Sequence, residues 1–128
     1  MDSSKLRQKI WLLDEQRRNL LRQVLRPFPM VSGSLFQMRR QCGNPRCKCA
    51  RGELHASWYL SRCQEGKTKL TYLGRVVPDW LQKRVRRYQR HQKRLAAIRK
   101  IDAEISRGLN QLREEKVQSL EKAQEERQ

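Results

Sequence analysis

The first part of the chain has the hydrophobic pattern of an amphipathic helix. Between residues 3 and 26, apolar side chains recur every three or four positions, and Ser3 or Ser4 can cap the first turn. Pro27 ends the pattern, because proline cannot continue a helix. Arg17 interrupts a stripe that is otherwise apolar: Leu6, Ile10, Leu13, Leu20 and Val24. Further apolar residues widen this face: Trp11, Leu12, Leu21 and Leu25. The pattern predicts one helix within residues 1–27 that packs against more than one neighbour.

The pattern becomes strand-like between residues 30 and 77. Residues 35–40 are a short strand candidate. Residues 57–63 and 68–73 are two further candidates, and the turn between them contains Gly66, which is typical of a β-hairpin. The three segments predict a small antiparallel sheet. With the flanking helices, the fold class is α+β.

Residues 78–128 read as one long helix. Pro78 stands before its start, and from Asp79 onward the chain has no proline and a single glycine, Gly108, where a break or fraying is expected. The apolar positions form an imperfect heptad stripe: Leu81, Val85, Tyr88, Leu95, Ile98, Ile101, Ile105, Leu109, Leu112, Val117 and Leu120. Such a stripe is typical of a coiled coil. Its partner is either the helix within 1–27 or the same helix of a second copy.

A cluster of potential metal ligands lies between the first two strand candidates. Its spacing is C-x4-C-x-C-x5-H, formed by Cys42, Cys47, Cys49 and His55. The Gly43-Asn44-Pro45 run favours a turn that returns the first cysteine toward the other two. Three thiolates and one imidazole are a donor set that Zn²⁺ takes in closed structural sites. The alternative is a set of reduced thiols packed as small apolar residues.

The fourth ligand is open at this point. Cys63 could replace His55, although the histidine is closer in sequence to the other three ligands. Cations beside the C-x-C pair favour the thiolate form by lowering thiol pKa values: Arg46, Lys48 and Arg51. The sequence therefore predicts a structural zinc site with His55 as the favoured fourth ligand.

The charge balance indicates a polyanionic partner. Thirty Lys and Arg residues against thirteen Asp and Glu give a net charge of +17 and a pI near 10.7. Only 37% of the residues are hydrophobic, so the chain needs long helices, a metal or a partner to supplement a small core. Nucleic acid is the favoured partner, DNA before RNA, with an acidic membrane surface or an acidic protein as alternatives.

Two groups of basic residues are candidates for phosphate contact. The first, the loop set, surrounds the metal ligands: Arg39, Arg40, Arg46, Lys48 and Arg51. The second, the helix set, lies in a stretch of residues 82–100 that contains no acid: Lys83, Arg84, Arg86, Arg87, Arg90, Lys93 and Arg94. A solvated helix face is the alternative for the second set. The aromatic residues Trp58, Tyr59 and Tyr72 are interpreted as core residues or cross-strand pairs, with base stacking as the alternative.

The sequence gives no support for a secreted protein, a membrane-spanning protein or an enzyme. The chain has no secretory signal and no apolar run of membrane-spanning length, so a cytoplasmic, nucleoid-associated protein with reduced cysteines is expected. It lacks an H-E-x-x-H motif, a P-loop and a nucleophile elbow, and we expect it not to be an enzyme. The competing function is a protein-interaction adaptor that works through its coiled coil.

The central part of the sequence resembles a known family. The matching positions are Gly33, Ser34, Leu35, Cys42, Gly43, Pro45, Cys47, Cys49, Ala50, Gly52, His55, Trp58, Tyr59, Leu60, Ser61, Gly66, Lys67 and Thr68. They resemble short, mainly bacterial, zinc-knuckle-like proteins of unknown function with the core G-S-L, C-G-x-P-x-C-x-C-A-x-G-x-x-H, Y-L-S and G-K-T. Ala56-Ser57 departs from the usual Gly-Pro after the histidine.

The resemblance carries expectations about ligands and partners. The family pattern does not require a cysteine where Cys63 stands, which favours His55 as the fourth ligand. Its members are similar to proteins of mobile elements, sometimes near recombinases. The resemblance thus implies a role in DNA recombination with a transposase or recombinase as partner, and the helices suggest a homodimer.

Overall fold

A computed structural model describes residues 3–128, so residues 1 and 2 of the predicted N-terminal segment lie outside the described part. The helices are α1 (Ser3–Val24), α2 (Asp79–Lys116) and α3 (Leu120–Arg127). The strands are β1 (Ser34–Arg40), β2 (His55–Gln64) and β3 (Lys67–Gly74). This order confirms the predicted α+β fold of an N-terminal helix, a three-stranded sheet and a long C-terminal helix. In the described part of the chain, no helix has the length and apolar character needed to cross a membrane.

The chain divides into two compact units. Unit 1 comprises residues 1–26 and 93–128, and unit 2 comprises residues 27–92. Helix α2 therefore contributes its first part to unit 2 and the remainder to unit 1. The sheet and all four predicted metal ligands belong to unit 2.

The sheet of unit 2 has the strand order β1-β2-β3, and both pairs are antiparallel. The turn between β2 and β3 places Glu65 at φ 54° and Gly66 at φ 77°. Two successive positive φ values are the requirement of a type I′ hairpin turn, whose twist matches that of the strands. The predicted hairpin is therefore confirmed, with strands slightly longer than the predicted segments.

One face of this sheet packs against the start of α2. The buried cluster combines Leu60 of β2 with Val77, Leu81 and Val85. Partly buried residues complete it: Val31, Leu35, Trp58 and Leu73. The backbone N–H of Val31 also donates to the carbonyl of Arg84 at 3.1 Å, which fixes the segment before β1 to the helix.

In unit 1, α1 packs against the second part of α2. The two helices are antiparallel, because Ile10 lies beside Gly108 while Arg17 forms a 3.7 Å ion pair with Asp102. The expected break at Gly108 is wrong, since α2 continues to Lys116. Gly108 is buried, and a Cβ there would lie 3.0 Å from the Ile10 side chain. The glycine is thus a point of close helix approach and not a helix end.

The helical pattern breaks later, at residues 117–119 between α2 and α3. Ser119 adopts an extended backbone, and its Oγ accepts the N–H of Lys122 at 3.2 Å as an N-cap. In α1, the stripe from Leu6 to Val24 is buried or half-buried. The apolar residues expected to widen it are exposed: Trp11, Leu12 and Leu21 of α1, and Leu25 just after its end.

Candidate metal centre

The loop that joins β1 to β2 brings the four predicted ligands together. One ligand atom from each of Cys42, Cys47, Cys49 and His55 lies within 4.8 Å of the others. His55 is the first residue of β2 and pairs with Arg40, the last residue of β1. The sheet therefore fixes one ligand, and the loop must fold back to supply the three thiols.

The distances fit a single four-coordinate ion. The Sγ of Cys47 lies 3.1 Å from Nε2 of His55, and the Sγ of Cys49 lies 3.4 Å from that of Cys42. Ligand atoms of a tetrahedral site with metal–ligand bonds of about 2.0 to 2.3 Å are separated by roughly 3.3 to 3.8 Å. These two contacts lie close to that range, and all four ligand atoms lie within 4.8 Å of one another, so the group could hold one metal ion.

Local turns of the loop account for this convergence. Asn44 accepts twice, from the N–H of Cys47 to its carbonyl at 3.1 Å and from the N–H of Arg46 to its Oδ1 at 3.0 Å. A 3-10 turn then runs from Lys48 to Arg51. Gly52 ends it with φ 104°, a left-handed conformation that strongly favours glycine. The turn residues of the motif thus set the positions of the thiols.

Hydrogen bonds decide which thiols ionise most readily. A backbone hydrogen bond from Asn44, followed by contacts with Cys49 and Cys47, lowers the pKa of Cys42. The backbone of Cys49 likewise lowers the pKa of Cys47. The N–H of Cys42 donates to the Sγ of Cys49 at 3.2 Å and favours its thiolate, but burial and the two neighbouring sulfurs outweigh this and raise the pKa of Cys49. From the sequence, low thiol pKa values were expected to result from the flanking cations. In the structure, hydrogen bonds are the largest causes that lower the pKa values of Cys42 and Cys47.

Cys63 is not part of the cluster. It lies near the far end of β2, eight residues from His55, and its side chain is exposed. It pairs with Thr68 of β3, near the opposite end of β2 from the loop that carries the other cysteines. Within residues 3–128, the group of possible ligands is therefore the one with His55 as its fourth member.

The loop set of basic residues is presented to solvent. All five members are exposed: Arg39, Arg40, Arg46, Lys48 and Arg51. The ion pairs found among residues 3–128 involve Asp14 and Asp102 and no member of this set. Arg40 has a different partner, since its guanidinium lies 5.9 Å from the ring centre of Tyr59. Among residues 3–128, no ion pair therefore neutralises the loop set.

The helix set is less uniform than predicted. Arg84 lies over the Trp80 ring at 5.4 Å, and Arg87 lies over the Phe28 ring at 5.2 Å, so both are half-buried against unit 2. Arg94 is half-buried as well. The exposed members are Lys83, Arg86, Arg90 and Lys93. Lys83 and Arg90 lie roughly half a helical turn away from the buried Leu81 and Val85, on the solvent side of α2.

The aromatic residues of the sheet divide between its two faces. Trp58 packs at the edge of the buried cluster, as predicted for a core residue. Tyr59 makes cross-strand ring contacts with Phe36 and Tyr72. Phe36 was not singled out in the sequence. It follows Leu35 in β1, so strand alternation places the two side chains on opposite faces of the sheet.

Comparison with known proteins places this arrangement in a family. Residues 5–83 match the family described as "Domain of unknown function (DUF6788)", which is more than half of the chain. The chain belongs to this family. The match covers nearly all of α1, the whole sheet, the four ligands and the first residues of α2. No curated protein and no solved structure matches the chain significantly. The predicted resemblance to a short zinc-knuckle-like family of unknown function is thereby confirmed.

Proposed function

We propose that this protein is a zinc-stabilised nucleic-acid-binding factor that assists a transaction on DNA. The observation that carries the proposal is that one short loop holds three of the four ligands together with exposed cations, next to the fourth ligand His55. Arg46, Lys48 and Arg51 lie between or beside the ligand cysteines and have no acidic partner within residues 3–128. A metal ion that fixes this loop would also fix the position of these charges.

Zinc is the ion that best suits the donor set. Three thiolates and one imidazole are soft and borderline ligands, which select Zn²⁺ over Mg²⁺ or Ca²⁺. Four protein ligands close the coordination shell and leave no position for a substrate or an activated water. This supports a structural ion and a protein that is not an enzyme. When bound, the ion would supply cross-linking of the loop and no chemistry of its own.

Phosphate contact is proposed for both basic sets. The loop set lies at one end of the sheet, and the exposed helix-set residues Lys83, Arg86 and Arg90 lie on α2 in the same unit. Arg86 is held in place by a 3.1 Å hydrogen bond to Oε1 of Gln82, whose own Nε2 donates to the carbonyl of Val77. Ordered arginines lose less side-chain entropy on binding a phosphate. We therefore place the polyanion contact on unit 2.

DNA is proposed before RNA because members of the family that the sequence resembles are similar to proteins of mobile elements. A transposase or recombinase as partner, a homodimer through the helices and a nucleoid location belong to the same proposal. The resemblance supports the partner, the apolar stripe of the long helix supports the homodimer, and the net charge of +17 supports the nucleoid location.

The test is a salt titration of DNA binding with a charge-matched pair of variants. Duplex DNA should bind the full-length protein with a log–log salt slope of about −0.9 for each neutralised phosphate. Replacing Lys83, Arg86 and Arg90 by glutamine should weaken binding roughly 10- to 100-fold at low salt and reduce the slope by about three. Fluorescence anisotropy with a labelled duplex measures both quantities.

The control is a triple variant that removes the same charge elsewhere on α2: Arg107→Gln, Arg113→Gln and Lys116→Gln. These residues are exposed and lie among acidic neighbours. The control should bind nearly as well as the natural protein. Equal losses in both triple variants would mean that overall charge, and not a contact surface on unit 2, determines binding.

An adaptor is the second candidate function, and one observation favours it. Apolar side chains in and just after α1 remain exposed on unit 1, with Trp11 at 68% and Leu25 at 71% of their full accessible surface. Exposed apolar groups of this size are typical of helix-mediated association. A purified protein that self-associates or captures a partner while ignoring DNA at low salt would support this function over the first.

A further inference from the structure

The sheet of unit 2 has a second face, opposite the one that packs against the start of α2. Leu35 and Leu60 pair across β1 and β2 and point toward α2, where Leu60 is buried with Leu81 and Val85. Successive residues of a strand point to opposite faces. The residues between these core positions therefore form the second face, on the side away from α2.

Three aromatic rings form a row across this second face, one from each strand. Phe36 of β1 pairs with Tyr59 of β2, and Tyr59 pairs with Tyr72 of β3. The ring centres of Phe36 and Tyr59 are 5.7 Å apart and their planes differ by 22°. Those of Tyr59 and Tyr72 are 5.5 Å apart at 67°. We call these three residues the aromatic row.

Tyr72 is the exposed member of the row, whereas Phe36 and Tyr59 are half-buried. Tyr72 keeps 63% of its surface accessible and Leu70, two residues earlier on the same face of β3, keeps 51%. A tyrosine that served only to cover its neighbour would be expected to lose more of its surface. An accessible ring next to two half-buried rings is a surface on which planar groups can stack.

The charge of the sheet indicates which planar groups would bind. The three strands contain no Asp or Glu, and of their five basic residues Arg40 lies on the face of the aromatic row, whereas Arg39, Arg62, Lys67 and Lys69 alternate to the face toward α2. Arg40 lies over the ring of Tyr59, and it pairs with the metal ligand His55 at the end of the sheet. Arg40 thus connects the aromatic row with the metal-loop end of a face to which the strands contribute no acid. This surface is complementary to a ligand with negative charge and exposed aromatic faces.

We propose that the aromatic row binds unpaired bases of a single-stranded nucleic acid by stacking, with its phosphates on Arg40 and the loop set. This inference rests on the proposed nucleic-acid function and specifies its ligand. Base–aromatic stacking on an open sheet requires bases whose faces are free, which a continuous duplex does not offer. An acidic peptide would satisfy the charges but would leave the rings unused.

The test compares single-stranded and duplex probes on variants of one exposed ring. Tyr72→Leu keeps an apolar side chain on β3 but removes the aromatic face. It should weaken binding of labelled oligothymidylate and oligouridylate roughly 5- to 100-fold, the loss typical of one stacked base. Binding of a duplex of the same length should change less than about twofold, and the salt slope should stay the same because no charge is removed. The thymidylate and uridylate arms show whether DNA or RNA is the better source of the bases.

Two controls separate stacking from folding. Tyr72→Phe retains the ring and should bind like the natural protein. Trp11→Leu removes an aromatic of similar exposure from unit 1 and should leave single-strand binding unchanged. In addition, photocrosslinking with 5-iodouracil in the single-stranded probe should label Tyr72 or Tyr59.

The outcomes are distinguishable from failure of the proposed function. Single-strand affinity that is unchanged in Tyr72→Leu, or lost equally for single-strand and duplex probes, would overturn the stacking proposal while leaving nucleic-acid binding intact. A natural protein that binds none of the probes at low salt would overturn both.

Discussion

Serine in place of Cys49 is expected to release the metal ion and to unfold the loop between β1 and β2. Cys49 is 1% exposed, and its Sγ accepts the N–H of Cys42 and contacts the Cys42 Sγ at 3.4 Å. Serine is a poor ligand for a soft site, and the three remaining donors would face one another without a cation. Structural zinc contributes roughly 10 to 16 kcal/mol in small zinc-finger peptides, so losing even part of this is large for a chain with so small a core.

The expected result is a metal content that falls from one ion per chain to below about a tenth, with a melting temperature at least about 10 °C lower. Elemental analysis and thermal unfolding measure these quantities. Cys63→Ser is the matched control, since Cys63 is exposed and outside the ligand group. It should retain the metal and the melting temperature. Loss of metal from the Cys63 variant, or its retention by the Cys49 variant, would show that the ligand set is wrong.

Alanine in place of Gly33 should give the second large effect, a destabilised sheet. Gly33 has φ 131°, a backbone conformation that residues with a Cβ rarely adopt. An added Cβ would lie 2.6 Å from the carbonyl oxygen of Ser61 and 2.9 Å from Cδ1 of Leu60. The first contact is with backbone of the central strand, so it cannot be relieved by turning a side chain. We expect a loss of about 3 kcal/mol in the free energy of unfolding.

Gly66→Ala is the control for backbone strain alone. Gly66 also has a positive φ, 77°, but an added Cβ there would meet nothing within 4 Å. It should cost about 1 kcal/mol, the usual penalty of a left-handed residue. Thermal unfolding, with amide hydrogen exchange in β1 and β2, measures the difference between the two variants. Equal stability of the two variants would contradict the close approach of Gly33 to β2.

The elements of the fold could be predicted because their limits are set by local chemistry. Pro27 ends the first helical pattern, Gly66 provides the hairpin turn, and Pro78 with Asp79 begins α2. These limits lie within two residues of the observed ones, whereas the end of α2 at Lys116 was not predicted. The ligand group could be predicted for the same reason, since the turn residues between the cysteines determine which thiols can meet.

Tertiary contacts could not be predicted in the same way. Gly108 resembles a helix breaker in sequence, yet α1 packs closely against it and keeps it helical. In sequence, Arg84 and Arg87 resemble the other residues of the basic run. In the structure, their guanidinium groups lie over the rings of Trp80 and Phe28, respectively. Whether Tyr72 is covered depends on which side of the sheet α2 takes, and no local pattern specifies this.

The central claim is that a bound metal ion holds a cationic surface in the form that nucleic acid recognises. The most direct measurement is the affinity of one preparation of the full-length protein for labelled single-stranded and duplex DNA, before metal removal, after it, and after one equivalent of zinc is returned. The account predicts that affinity falls on metal removal and recovers with zinc. Metal-free protein that binds both probes as tightly as the zinc-loaded form would contradict it.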